Sequence, residues 1–308
     1  MNTLQAPTAV VMIRPHHFRS NPDTISDNAF QTTTEGPADP SNTALQEFDT
    51  AVKALRSAGV HVHVFEDEGS DTPDSVFPNN WFSTHSGGHI AIYPMYSQNR
   101  RLERRWDVIE ELKRSYRVQD VIDFSGLEED ELALEGTGAM VLDHIGRVAY
   151  TVKSTRADPV LLERFCTHFN YEPMAFEARD SQGRDVYHSN VLMGIAEKFA
   201  LICLSMIVDP ARRAEVAARL SESGRDVIDL SEEQIANFAG NCFALTGNDP
   251  LLALSARAME ALTPAQIRRI EHSARLLPLS IPTIETAGGS VRCMLAGIHL
   301  SPRKRISQ

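Results

Sequence analysis

A thiol, an imidazole and a carboxylate lie in three short segments whose composition differs from their surroundings. Cys293 follows a Gly-Gly pair and Arg292, His188 lies in a Tyr-His-Ser-Asn segment, and Glu135 begins a Glu-Gly-Thr-Gly segment before an apolar stretch. Each segment alone has a structural explanation, as a plain turn, a buried histidine or an exposed strand end. Together the three groups are those that nucleophilic catalysis requires. The sequence therefore predicts an enzyme with a cysteine nucleophile.

A fourth segment concentrates polar side chains that are suited to binding a small polar molecule. It runs from Asp74 to His85 and contains an acid, two amides, a tryptophan and a histidine just before a predicted strand. With the neighbours of the catalytic candidates and two arginines downstream, it supplies the candidate substrate-binding residues. These are Asp74, Phe77, Asn79, Asn80, Trp81, His85, Arg100, Arg101, Asn190, Asn241 and Arg292.

The four cysteines differ in the segments that surround them. Cys166 falls on the apolar face of a predicted helix and Cys203 lies in an apolar strand, so both are expected to be structural. Cys242 follows a Gly-Asn pair and is a genuine rival for the nucleophile. Cys293 is favoured because Arg292 is adjacent, and a nearby cation favours the thiolate form of a cysteine.

Composition narrows the class of protein. The 308 residues are 42% hydrophobic and 23% charged, with a formal net charge of −11. Such a charge repels phosphate backbones, which argues against a nucleic-acid partner. No apolar run reaches the length of a membrane span, no secretory signal begins the chain, and no cysteine or histidine spacing fits a zinc site. We therefore expect a cytoplasmic enzyme with no metal and no membrane partner.

The elements that must position these residues recur along the chain. Five amphipathic helical segments begin near Ala44, Arg101, Asp158, Pro210 and Pro264, at intervals of about 52–57 residues. A strand follows each helix, the last over Leu277–Ile284, and further strands lie between, one over Val191–Met193. Asn21–Asn42 is polar and predicts a long loop. The period indicates small ββαβ units around an axis, in one domain over residues 1–308, with their loops at one central site.

The four motifs resemble those of the guanidine-modifying enzymes, or pentein superfamily, which includes arginine deiminase, dimethylarginine dimethylaminohydrolase and amidinotransferases. The motifs Phe77–Phe82 (Phe-Pro-Asn-Asn-Trp-Phe), Leu134–Gly136 (Leu-Glu-Gly), His188 and Gly288–Met294 occur in the family's order. The resemblance covers nearly the whole chain and implies an α/β fold, a five-bladed propeller with pseudo-fivefold symmetry. It also implies that Cys293 is the nucleophile, His188 the general acid/base and Glu135 the carboxylate that holds the substrate nitrogens.

Two departures from the arginine deiminase pattern bear on the substrate. His85 and Asn190 stand where those enzymes carry carboxylates. A guanidinium has only N–H donors and needs acceptors, whereas the oxygen of a neutral ureido group needs a donor. Within the superfamily the chain looks most similar to the citrulline-hydrolase branch. The two departures likewise favour a neutral ureido substrate, although Asp74 offers a second carboxylate.

The sequence thus predicts hydrolysis of citrulline to ornithine, ammonia and carbon dioxide through a carbamoyl thioester on Cys293, without cofactors. Asn79 is expected to contact the amino-acid end, and Arg292, Arg100 or Arg101 to bind the α-carboxylate. Deiminase or dimethylargininase-type hydrolysis, amidino transfer and a non-catalytic binding protein are the alternatives. The oligomeric state stays open, with a homodimer as one candidate.

Overall fold

Strands in the part of the chain that the structure describes, residues 5–32 and 39–303, form five three-stranded sheets in a computed structural model. The strands are β1 (Ala9–Pro15), β2 (His61–Asp67), β3 (Phe82–His85), β4 (His89–Ile92), β5 (Asp120–Asp123), β6 (Met140–Asp143), β7 (Val148–Val152), β8 (Glu172–Phe176), β9 (Met193–Ile195), β10 (Phe199–Ile202), β11 (Asp226–Asp229), β12 (Phe243–Thr246), β13 (Pro250–Ser255), β14 (Arg275–Leu279) and β15 (Ala296–Gly297).

Short and long helices alternate with these strands. They are α1 (Pro40–Ser57), α2 (Trp106–Ser115), α3 (Gly136–Ala139), α4 (Pro159–Phe169), α5 (Ser189–Leu192), α6 (Pro210–Ser221), α7 (Glu232–Ala236), α8 (Ala256–Ala261), α9 (Pro264–Glu271), α10 (Pro282–Glu285) and α11 (Val291–Met294). No helix in the described ranges is both long and apolar enough to cross a bilayer.

Every sheet has the same internal topology. Two strands pair antiparallel, as β3 pairs with β4, and a third strand pairs parallel with the second, as β5 does with β4. A parallel pair needs a crossover connection, and α1, α2, α4, α6 and α9 lie in those connections. The predicted α/β fold of repeated ββαβ units is confirmed.

The crossover helices begin where local chemistry favours a first turn. Asp158 and Asp209 accept hydrogen bonds from backbone N–H groups of α4 and α6, and proline occupies the first turn of both. The second predicted helix starts later than expected, because Asn99–Glu103 forms a separate 3₁₀ turn before α2. The apolar face predicted from Trp106, Ile109, Leu112 and Tyr116 is buried except at Trp106, which is 57% exposed.

Three other segments differ from the sequence-based expectation. Leu277–Ile284 is a strand only through Leu279, since Pro282 begins α10. Val191 and Leu192 belong to α5 rather than to a strand. The predicted loop Asn21–Asn42 contains a 3₁₀ turn and the start of α1, and residues 33–38 within it lie outside the described residues.

The first sheet joins the two ends of the chain. Strand β15 pairs antiparallel with β1, with Val10 opposite Gly297 and Val11 opposite Ala296, while β2 pairs parallel with β1. The C-terminal strand therefore completes the unit that the N-terminal strand begins. Because the segment just before β15 is α11, this pairing also sets the position of Cys293.

A buried ion pair joins the third and fourth units. Arg225, just before β11, donates to both carboxylate oxygens of Asp143 in β6, at 2.5 and 2.8 Å, and its Nε donates to the carbonyl of Ala196. The Arg225 side chain is fully buried and that of Asp143 is almost so. Removing one partner would leave the other charge uncompensated in the interior.

Arg225→Met should therefore lower the free energy of unfolding by about 3–5 kcal/mol, because Asp143 loses its counter-charge. Arg269→Met is the matched control, since Arg269 pairs with Asp226 at the surface and both side chains are more than 40% exposed. The control should change stability by about 0–1 kcal/mol. Urea unfolding of both variants measures the difference, and equal losses would show that the buried pair carries no special stability.

Candidate active site

Five turns, one from each sheet unit, meet at the centre of the molecule. Each immediately precedes the first strand of a sheet: α11 precedes β15, Pro78–Asn80 precedes β3, α3 precedes β6, α5 precedes β9, and the turn at Asn241 precedes β12. Neighbouring turns touch one another, as α3 does with Pro78–Asn80 and with α5. Side chains that are more than 200 residues apart in sequence therefore share one site.

The sulfur of Cys293 is surrounded by amide groups. Asn190 Nδ2 lies 3.2 Å and Asn241 Nδ2 3.3 Å from Sγ, so both amides donate to it. Asn241 also accepts from the backbone N–H of Arg292 at 3.0 Å and donates to the carbonyl of Asn190 at 3.0 Å. This amide pair fixes the position of the sulfur and supplies donors to negative charge that forms beside it.

His188 and Glu135 form a buried pair next to the cysteine. Glu135 Oε2 is 2.8 Å from His188 Nε2, and Oε1 accepts from the backbone N–H of Tyr96 at 3.1 Å. Burial raises the pKa of Glu135, but the charge of Arg156, the hydrogen bond to His188 and the charge of Arg100 together hold it well below the usual range. Glu135 is therefore an anion at neutral pH and can support a protonated imidazole.

Burial lowers the pKa of His188, and the hydrogen bond and charge of Glu135 oppose this effect without overcoming it. His188 is thus neutral at neutral pH and able to accept a proton. A neutral imidazole beside an anionic carboxylate is the arrangement of a general base that can become a general acid after proton transfer.

Two glycines allow the close packing of this site. A Cβ at Gly138 would lie 2.1 Å from Asn80 Oδ1 and 2.9 Å from His188 Nδ1, so a side chain there would displace the imidazole. A Cβ at Gly289 would meet the ring of Phe77 at 2.7 Å. The glycine-rich motifs noticed in the sequence are explained by these approaches rather than by turns alone.

Two arginines face the same cavity. Arg100 donates to both carboxylate oxygens of Glu103, at 2.8 and 3.0 Å, and Arg156 donates to both oxygens of Asp27, at 2.8 and 2.5 Å. Both guanidinium groups also approach Glu135 Oε2, at 3.5 and 3.6 Å. Sequence analysis named Arg100 but missed Arg156, which lies between two motifs and carries no local signature.

Asp74 and Asn80 complete the polar lining. Asp74 Oδ2 accepts from Asn21 at 2.7 Å, while its Oδ1 has no hydrogen-bond partner among the described residues. Burial raises the pKa of Asp74, although Arg100 and Asn21 oppose the rise. The Asn80 amide, oriented for hydrogen bonding, accepts from Arg100 at 2.9 Å. Asp74 therefore offers one free acceptor to a ligand.

A segment of the N-terminal region covers this site. Asn28 lines the cavity, Asp27 pairs with Arg156, and Asn21 contacts Asp74. The cavity between them and Cys293 measures about 10 Å³, which is space for one water molecule and not for an amino acid. A substrate of amino-acid size therefore needs more space at Cys293 than this conformation provides.

Of the remaining predicted substrate-binding residues, only some line the cavity. Phe77 lines the cavity, whereas Trp81 packs in the hydrophobic core and Asn79 is fully buried behind Asn80. Arg101 donates to the carbonyl of Met95 and lies near Glu128. Arg292 stacks on the ring of Phe243, 3.9 Å from its centroid, and lines a different cavity.

His85 lies elsewhere, and the expectation that it binds substrate needs correction. Its ring packs 4.2 Å from that of Phe169 and 5.6 Å from that of Phe165, and Nε2 bonds to Ser83 at 2.7 Å. It ends β3, whereas the site is formed by the turn that precedes this strand. Strand β3 continues past the site, and the side chain of His85 at its end lies in the aromatic cluster under α4.

Burial lowers the pKa of His85 well below its usual value, with neighbouring His299 and Arg147 adding to the effect. A histidine whose folded-state pKa is depressed takes up its proton more readily when unfolded, so stability is lost as the pH falls below about 6.5.

His85→Phe should therefore make stability less sensitive to acid, by about 1.4 kcal/mol for each pH unit below 6.5. Ser83 keeps its hydrogen bond with Tyr93 in this variant. His168→Phe, an exposed neighbour of the same cluster, is the control. Urea unfolding between pH 7 and pH 5 measures the slope, and an unchanged slope for His85→Phe would contradict the assignment.

No group of three or more potential metal-ligating side chains occurs within residues 5–32 and 39–303. The groups at the site are instead those of acid–base and nucleophilic chemistry: one thiol, one imidazole, carboxylates and amides.

Comparison with known proteins places these observations in a family. A family model described as N,N-dimethylarginine dimethylhydrolase, eukaryotic, matches residues 14–300. No curated protein sequence matches the chain significantly.

Solved structures share the fold at low sequence identity. The N-terminal domain of ArgZ, an arginine dihydrolase from cyanobacteria, has a TM-score of 0.73 at 15% identity, over 93% of this chain and 96% of that domain. Unliganded AgrE has a TM-score of 0.75 at 15% identity, over 96% of this chain and 40% of AgrE. DDAH from Pseudomonas aeruginosa complexed with citrulline has a TM-score of 0.64 at 15% identity, over 94% of this chain and 98% of that protein. The chain spans about 40% of the length of full-length ArgZ and AgrE.

Proposed function

The chain belongs to the N,N-dimethylarginine dimethylhydrolase family, within the pentein superfamily of guanidino-modifying hydrolases, and we propose that it hydrolyses the ureido group of a citrulline-like amino acid. The products would be ornithine, ammonia and carbon dioxide. The proposal goes beyond family membership in naming a neutral ureido group as the target.

The amide donors at the reactive sulfur carry this proposal. Asn190 and Asn241 each donate an N–H group to Cys293 Sγ, and the thiol also donates to Asn241 Oδ1 at 3.7 Å. A ureido carbon at Sγ places its oxygen near such donors, and the oxygen gains negative charge during attack. A guanidinium carbon at the same place would bring N–H donors against N–H donors. The side-chain oxygen of Asn190 has no hydrogen-bond partner among the described residues. It can accept an N–H from a ureido or a guanidinium group, so it does not favour one substrate over the other.

The proposed reaction uses three side chains. His188 accepts the thiol proton, and the Cys293 thiolate attacks the ureido carbon to give a tetrahedral intermediate. His188, its charge supported by Glu135, returns the proton to the δ-nitrogen. The C–N bond breaks, ornithine leaves, and a carbamoyl thioester remains.

Water completes the cycle. His188 takes a proton from a water molecule, which attacks the thioester carbon, and the C–S bond breaks to regenerate the thiolate. The released carbamic acid decomposes to ammonia and carbon dioxide. Because one imidazole serves as acid in the first half and base in the second, no cofactor enters the scheme.

Arg100 and Arg156 are suited to the amino-acid end of the substrate. Arginine binds carboxylates through two parallel N–H groups, and Arg156 already holds the Asp27 carboxylate in this way. Since Asp27 belongs to the covering segment, its displacement would free Arg156 for the substrate α-carboxylate. The unpartnered oxygen of Asp74 is an acceptor for the α-ammonium group.

A substrate panel tests the proposal directly. Citrulline incubated with the protein should yield ornithine and ammonia in equal amounts, whereas arginine, agmatine and dimethylarginine should react at least about tenfold more slowly. Citrulline formed from arginine or dimethylarginine, with no ornithine from citrulline, would assign the site to a guanidino substrate.

Cys293→Ala should abolish ornithine formation, because the covalent intermediate cannot form. Cys242→Ala is the matched control, since Cys242 is also buried and its thiol pKa is raised to about 12 by burial despite nearby Arg292. Its activity should stay within about threefold of the wild type. Mass spectrometry of the quenched wild-type reaction should find the carbamoyl group on Cys293. Loss of activity in Cys242→Ala with retention in Cys293→Ala would reverse the assignment.

Arg156→Gln should lower kcat/KM for citrulline roughly 10- to 150-fold, because one charged hydrogen-bonding partner of the α-carboxylate is lost. N-carbamoylputrescine, which has the ureido group but no carboxylate, separates binding from structural damage. The substitution should lower kcat/KM for this compound at least about threefold less than for citrulline, because only the effect on Glu135, 3.6 Å from Arg156, is shared by both reactions. An equal loss for both compounds would refute a role in carboxylate binding.

A second candidate is hydrolysis of a guanidino substrate. The description of the matching family model and the presence of two carboxylates, Asp74 and Glu135, near the cavity favour it. The ureido substrate is preferred because Asn190 and Asn241 both present N–H donors at the sulfur of Cys293.

A further inference from the structure

Glu103 is a buried carboxylate near the active site that lies outside every motif recognised in the sequence. It ends the 3₁₀ turn Asn99–Glu103, and its side chain is fully buried. Burial raises the pKa of Glu103 to about 7, although the neighbouring Arg100 opposes the rise. Because a buried acid destabilises the fold unless it is paired, the position of Glu103 is explained by what it does to Arg100.

Arg100 stands among three carboxylates and is paired closely with one of them. Its Nε and Nη2 donate to the two oxygens of Glu103 at 2.8 and 3.0 Å, which is a two-bond pair. By contrast, its Nη1 lies 3.5 Å from Glu135 Oε2, and its Nε lies 3.6 Å from Asp74 Oδ2. These two distances are long for a charged hydrogen bond, so Glu103 determines where the guanidinium group lies.

The support of His188 depends on which carboxylate Arg100 binds. Glu135 Oε2 lies 2.8 Å from His188 Nε2, and Oε1 accepts from the backbone N–H of Tyr96. An arginine that formed a two-bond pair with Glu135 would compete for both oxygens. Without Glu103, Glu135 is the strongest competitor for Arg100, because it is an anion at neutral pH whereas burial raises the pKa of Asp74.

We propose that Glu103 is a positioning residue, which holds the Arg100 guanidinium group and thereby keeps Glu135 paired with His188. Glu103 is not among the residues that line the catalytic cavity, whereas Arg100 is, so Glu103 acts through Arg100 and not on the substrate. Because His188 transfers the protons of the proposed reaction with the support of Glu135, this role rests on the proposed function.

Diffraction tests the position of Arg100 without any substrate. In crystals of Glu103→Gln, the Arg100 guanidinium group should turn to Glu135, with an N–O distance of about 2.7–2.9 Å instead of 3.5 Å. Glu135 Oε2 should then lie farther from His188 Nε2 than the present 2.8 Å. An Arg100 that keeps its place in Glu103→Gln would overturn the proposal.

Kinetics at about pH 8, where Glu103 is ionised, test the consequence for the reaction. Glu103→Gln should lower kcat about tenfold or more and change KM less than about threefold, because His188 loses support while Arg156 stays in place for the α-carboxylate. N-carbamoylputrescine should lose the same factor in kcat/KM as citrulline. A loss confined to citrulline would show that Arg100 serves the carboxylate instead, against the proposal.

Asp143→Asn is the matched control, since it breaks a buried arginine–carboxylate pair outside the site, that with Arg225. It should lower stability in urea and leave kcat within about threefold of the wild type. A fall of kcat as large as that of Glu103→Gln would show that the loss of any buried ion pair has this effect, and the positioning role would be refuted.

A double variant shows whether Glu103 acts through Arg100. Glu103→Gln added to Arg100→Gln should change kcat less than about threefold, because no guanidinium group is left to hold. A further loss of about tenfold would give Glu103 a role of its own and contradict the proposal. This comparison decides even if Glu103→Gln alone does not fold. A wild type that releases no ornithine from citrulline would refute the proposed function and leave the diffraction test of Arg100 standing.

Discussion

The pairing of the last strand with the first is the constraint on which the site depends. Strand β15 is only two residues long, yet it completes the sheet that β1 begins and brings the two ends of the chain together. Helix α11 ends one residue before β15, so Cys293 reaches its position only when this pairing forms. Disruption of a terminal sheet therefore acts directly on the chemistry, and not only on stability.

Equivalent positions in the five units carry different chemistry. The same turn, just before the first strand of each sheet, supplies the thiol in one unit, the carboxylate in another, and the imidazole or an amide in others. A repeated backbone thus presents unlike side chains to one point, and the surrounding sheets exclude water from it. In such a setting the amides at Cys293 and the His188–Glu135 pair interact more strongly than they would in solvent.

Charge balance explains most of the buried polar network. Arg100, Arg156 and Arg225 each pair with a carboxylate. The partner of Arg156 is Asp27, which belongs to the segment that covers the site. Because Asp27 pairs with Arg156, a displacement of the covering segment would also free the Arg156 guanidinium group.

Local signals in the sequence were enough to predict the repeating unit and the five helices. Amphipathic periodicity, proline at first turns and glycine-rich segments all act over a few residues, so they are visible without a fold. The identity of Cys293, His188 and Glu135 as candidates came from the same short segments and from the family motifs in them. Helix and strand limits failed where a 3₁₀ turn or a proline shortened an element.

Only the tertiary structure decided which side chains meet. His85 belongs to a promising motif but lies at the far end of its strand, and Arg292 is adjacent to the nucleophile in sequence but turns to another cavity. Arg156 stands outside every motif and nevertheless faces the site. The physical reason is that residue type and spacing determine local conformation, whereas the direction of a side chain is set by packing between units that are distant in sequence.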